Sequence, residues 1–134
     1  MRKIFLLLFV LLLLPVLSLA ATRVEEDVTL YRVYLGHGVG EAALQEADIQ
    51  KFIDEVITPQ FPQGLTIIEA RGQWNSEGGL QKESTSMVHV QGPSTPETLA
   101  KIERIAELYV ERFKKSRSAF FYESIPGATA KIFY

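Results

Sequence analysis

Cysteine is absent from all 134 residues, which excludes a disulfide frame, a thiolate nucleophile and a thioether-linked lipid anchor. Histidine occurs only at His37 and His89, without an H-E-x-x-H pattern, so no metal site is assigned and no cofactor is implied. Positive charge is also thin. The one dense basic cluster, Lys114, Lys115 and Arg117, reads as the cationic end of a helix, so no nucleic-acid partner is expected. No G-x-S-x-G elbow marks a serine nucleophile.

The long apolar run lies at the start. Arg2 and Lys3 precede an apolar stretch over residues 4–19, and Ser18 and Ala20 stand where a signal peptidase reads small side chains. Pro15 interrupts a run already shorter than the roughly 20 residues a spanning helix needs. Residues 1–20 are therefore expected to be a signal peptide, cleaved after Ala20 or Ala21. Residues 21–134 are expected to form a single exported α+β domain, periplasmic or secreted, without a transmembrane segment. Removing the first 20 residues takes two cations and leaves 12 Lys plus Arg against 16 Asp plus Glu.

Residues 28–35, VTLYRVYL, are β-branched and aromatic and predict a strand, with Tyr31, Val33 and Leu35 facing a core. Tyr34 lies on the other face with Leu30 and Arg32, which makes it a binding candidate. The following GHGVG resembles a phosphate-cradling loop, but Glu41 occupies the third glycine position of G-x-G-x-x-G, and a mobile connecting loop is preferred. Ile49, Phe52, Ile53, Val56 and Ile57 form a helical stripe over residues 45–58, ended by Pro59, Pro62 and Gly64.

Residues 65–74 and 80–91 read as a hairpin joined by the five-residue loop 75–79. That register places Arg71 opposite Glu83, Glu69 opposite Thr85 and Leu65 opposite His89. It puts Ile68, Ala70, Gly72, Trp74, Val88 and Val90 on the face where helices dock. Thr95-Pro96-Glu97 then starts a second helix, with Thr95 as cap and Leu99, Ile102, Ile105, Ala106, Tyr109 and Phe113 as its stripe. Residues 118–124 predict a last strand, and Pro126-Gly127 separates it from a short extended tail, KIFY. The order strand, helix, strand, strand, helix, strand predicts a ferredoxin-like βαββαβ sandwich, an antiparallel four-stranded sheet with both helices on one face.

The pattern T-P-x-F-P-x-G-L-T followed by G-x-W stands here at Thr58, Pro59, Phe61, Pro62, Gly64, Leu65, Thr66, Gly72 and Trp74. With Glu83-Ser84 and the helix ending ELYVERF, it resembles the domain of unknown function 3574 family of small exported bacterial proteins, over nearly the whole mature chain. The resemblance implies export and brings no established activity. Arginines common in that family correspond here to Gln60 and Ala106. If they serve an anionic ligand there, this chain has lost or changed it; as surface ion pairs they would contribute little.

Glu69, Arg71, Glu83 and His89 are the further binding candidates, because the expected register gathers two carboxylates and a guanidinium on the uncovered sheet face. They read either as a cross-strand ion pair fixing register or as acid, base and anion holder of a small enzyme. Three functions stay open. One is a non-enzymatic binding module meeting another envelope protein or itself, as a homodimer. Another is a small envelope enzyme using the Glu/Arg cluster. The last is an inhibitor or chaperone-like protein whose tail, residues 129–134, adds a strand to a partner.

Overall fold

The computed structural model of the protein describes residues 26–116 and 118–130. The expected signal segment, Arg117 and the KIFY end of the expected tail lie outside the described residues. Four strands, β1 (Glu26–Gly36), β2 (Leu65–Ser76), β3 (Gly79–Pro93) and β4 (Phe120–Ala130), form one antiparallel sheet in the order β2-β3-β1-β4. The helices α1 (Glu46–Phe52) and α2 (Pro96–Phe113) both pack on one face, giving the ferredoxin-like sandwich.

Alternation builds that core. Tyr31, Val33 and Leu35 of β1 and Val88 and Val90 of β3 meet Ile49, Phe52, Ile53 and Ile57 from the first helical run and Ile102, Ile105 and Tyr109 from α2. Phe52 and Tyr109 meet edge to face at 5.1 Å between centroids, and Tyr109 meets Phe113 at 4.9 Å. The Tyr109 hydroxyl donates to the Gly36 carbonyl at 2.7 Å, which ties α2 to the end of β1. Burial pushes that phenol well above its usual range.

Helical winding continues past α1. It widens into a π turn over Ile53–Ile57 and tightens into a 3-10 turn over Thr58–Gln60, because Pro59 brings no N–H for the regular ladder. At the start of α2, Thr95 accepts the Thr98 N–H with Pro96 at the first helical position.

Two expectations are corrected. The hairpin turns over Glu77 and Gly78 alone: Ser76 pairs with Gly79, the Ser76 hydroxyl holds the Gly78 N–H, and Gly79 takes φ 94°. The register is therefore Arg71 with Ser84, Gly72 with Glu83, Glu69 with Ser86 and Leu65 with Val90. Side chains alternate, so this one-residue slip moves all of β2 to the opposite face relative to β3. Leu65 and Ile67 face the helices, whereas Ile68 and Trp74 are exposed. The last strand also runs straight through the expected break. Leu30 pairs with Ile125 and Val28 with Ala128, so Pro126 and Gly127 stand together opposite Thr29 as a bulge, tolerable because β4 is an edge strand.

Candidate functional site

The uncovered sheet face is built of cross-strand rows. One row runs Ile68, Met87, Tyr34, Phe121 across all four strands. The Tyr34 and Phe121 rings lie 5.2 Å apart and tilted by 43°. The next row is polar: Thr66, His89, Arg32, Glu123. Glu123 accepts the Tyr34 hydroxyl at 3.1 Å and stands 3.6 Å from the Arg32 guanidinium. Desolvation raises the Tyr34 phenol above its ordinary value, and the Glu123 carboxylate adds to the shift.

On the other side of the apolar row the residues become small. Gly36, Ala70, Gly72 and Ala119 leave a groove of about 240 Å³, walled by Tyr34 and Phe121 and edged by Glu83, Thr85 and the main chain at Arg71. The glycines matter here: a Cβ on Gly36 would come within 2.9 Å of the Glu83 carboxylate, and one on Gly72 within 3.3 Å of Thr85 Oγ1. One Glu83 oxygen is already engaged, accepting the Gly38 N–H at 2.8 Å. The glycine loop after β1 thus spends that N–H on a side chain of its own chain. A second hollow, about 560 Å³, lies at the far end of the face against His89, Thr66, Gln63 and Gln91.

Of the residues singled out from sequence, Tyr34 and Glu83 line one groove with their side chains, and Arg71 borders it with its main chain only, its side chain alternating to the helix side. Glu69 does not join them. It faces the helix side, where both its oxygens lie 3.1 Å from Ser86 Oγ, and Ser86 lies 2.9 Å from His37 Nε2. A carboxylate only accepts, so Ser86 donates to Glu69 and receives the His37 N–H. The expected Glu69–Arg71–Glu83 cluster on the open face is overturned by the register, which sends Glu69 and Arg71 together to the helix side and leaves Glu83 on the open face. His89 is on the open face but away from the groove, opposite Arg32, and among the described residues His89 Nε2 and Arg32 Nε have no hydrogen-bond partner. Sequence reasoning missed Ser86 and undervalued Phe121. The alternation of Phe120, Phe121 and Tyr122 was the available signal: Phe120 and Tyr122 pack on the core and Phe121 is 55% exposed. Among the described residues no three His, Asp or Glu side chains are grouped to hold a metal ion, and no helix is long and apolar enough to cross a membrane.

Residues 31–122, more than half of the chain, match the family described as protein of unknown function (DUF3574). The chain belongs to this family. No curated protein matches it. Among solved structures, a phage SAM lyase in complex with S-methyl-5′-thioadenosine is similar at TM-score 0.55 and 16% identity, over 80% of this chain and 90% of that one. The same lyase in its apo state gives 0.53 and 17%, over 81% and 89%. CutA from Synechococcus elongatus gives 0.52 and 5%, over 83% and 87%. At such identities the likeness is one of fold: these are ferredoxin-like sandwiches, as this family member is.

Proposed function

We propose that this protein is an exported, non-enzymatic binding module of the cell envelope, whose open sheet face meets another envelope protein or a second copy of itself. The row Ile68, Met87, Tyr34, Phe121 carries the reading. It is apolar, spans all four strands and lies on the face opposite both helices, with Ile68 38% and Phe121 55% exposed. Covering such a stripe gains roughly 25 cal/mol per Å² of apolar area removed from water. Export rests on the Arg2-Lys3 start, the apolar run and the small residues at Ser18 and Ala20.

A photo-crosslinking residue at position 121, in the full chain made in its host, tests the surface. Adducts are expected at 121 and not at Val110, which is equally exposed on α2. Equal yields at both positions would overturn the reading. Sequencing the N-terminus of the recovered protein checks export, with a start at Ala21 or Thr22 expected.

The groove favours a second reading, a small enzyme or ligand binder with Glu83 beside the aromatic wall. Glu69 and Arg71 have no part in that version, their side chains being on the other face. A lyase of the same fold holds S-methyl-5′-thioadenosine, so that nucleoside and SAM are the probes to add. The binding-module reading expects no change in Tm with either; a saturable rise, abolished by Glu83→Gln, would replace it with the second.

A further inference from the structure

The outer edge of β2 has no proline, lysine or bulge. Edge strands usually blunt their unpaired N–H and C=O groups with proline, lysine or a bulge. The opposite edge, β4, has Pro126, Gly127 and a bulge. By contrast β2 runs twelve residues, LTIIEARGQWNS, without proline, lysine or a break in its register with β3. Among the described residues no strand pairs with its outer side.

At the middle of that edge stand Glu69 and Arg71, both exposed, on one face of the sheet with Ala70 between them. Arg71 makes no ion pair among the described residues. Two opposite charges two residues apart on an edge are complementary to their own image when the strand meets itself antiparallel. We propose that β2 pairs antiparallel with β2 of a second copy about a two-fold axis at Ala70, making one continuous eight-stranded sheet. In that register Glu69 faces the partner's Arg71 and Arg71 faces the partner's Glu69. Moving the axis one residue either way sets Glu69 against Glu69 or Arg71 against Arg71, so charge selects the register. On the open face, Ile68 comes opposite the partner's Gly72 and Trp74 opposite the partner's Thr66, with the partner's Ile68 beside it. Two side chains that are 38% and 42% exposed in the single chain are thereby covered. The inference concerns the strand edge and does not rest on what the open face binds.

Sedimentation of the full chain over a wide concentration range tests it, and a dimer is expected. Arg71→Glu alone and Glu69→Arg alone should each weaken self-association by about tenfold or more, since two attractive pairs become repulsive. An equimolar mixture of those two variants should recover the wild-type affinity, because every cross-strand pair is then of opposite sign. Glu69→Arg also removes the bond to Ser86, so a test independent of fold stability is needed. The chain has no other cysteine, and Ala70→Cys should oxidise to a disulfide-linked dimer, whereas Gln73→Cys, roughly 20 Å from its own image in this register, should not. A wild-type chain monomeric throughout, a mixture no tighter than its components, or equal cross-linking at 70 and 73 would each overturn the proposal.

Discussion

Alternate residues of the same four strands meet opposite conditions on the two faces of this sheet. Tyr31, Val33, Leu35, Val88 and Val90 lie under the two helices with 3% exposure at most. Their neighbours Leu30, Arg32, Tyr34, Met87 and His89 are half-buried, sheltered by one another and, among the described residues, by no further layer. Both faces contain aromatic and apolar side chains, so hydrophobicity alone does not separate them. What separates them is the partner. The helix stripes supply Phe52, Ile102, Ile105 and Tyr109 as a second surface, and dispersion and desolvation act across the layers. One sheet thus carries a face stabilised by a second layer and a face that, among the described residues, has none.

Mutations should break that contrast in proportion to cover. The largest effect is expected from Phe52→Ala, which removes a fully buried ring touching Tyr109 and Phe113 and should cost about 3–5 kcal/mol in urea unfolding. A loss below about 1 kcal/mol would show that the interlayer aromatics are not what holds the helices down.

Tyr109→Phe keeps the ring but leaves the Gly36 carbonyl without its donor, for about 1–3 kcal/mol. It also carries a pH signature. The folded phenol lies above its unfolded value of 10.0, mainly through burial, so the stability it contributes is complete below that pH. As pH rises past 10.0 the unfolded chain releases its proton first, and stability falls. The Phe variant should lose that alkaline decline; an unchanged slope above pH 10.0 would place the titrating group elsewhere.

The smallest effect belongs to the open face. Phe121→Ser should change stability of the isolated chain by no more than about 0.5 kcal/mol, because the ring is more than half exposed and, among the described residues, stacks on Tyr34 alone. A loss as large as that of Phe52→Ala would mean the two faces are energetically alike, and the contrast between them would fail.

Most of the fold was legible in the sequence for local reasons. The 3.6-residue stripe through Ile49, Phe52, Ile53 and Ile57 marks a helix, and the Thr95-Pro96 start caps another. Gly36 ends the first strand where expected. The hairpin register was less legible. Asn75, Ser76, Glu77, Gly78 and Gly79 are all turn residues, and choosing which two form the turn depends on the Ser76 hydroxyl and the φ of Gly79. Because strand side chains alternate, that local ambiguity of one residue scattered Glu69 and Glu83 to opposite faces. It also hid the Glu69–Ser86–His37 chain, whose members are 17 and 49 residues apart in pairs.

Pattern and punctuation in the sequence by themselves determined the element order, the core side of β1 and most of the buried stripe of each helix, since these follow from backbone periodicity and from capping within a few residues; Leu99 of the expected α2 stripe is exposed, and Thr98 is buried beside it. The family motif from Thr58 to Trp74 was equally plain in the sequence. Tertiary structure alone decided which face β2 presents, which carboxylate stands at the groove, and that one sheet edge is bulged while the other is straight. These depend on the pairing of strands distant in sequence, where a shift of a single residue exchanges core for surface.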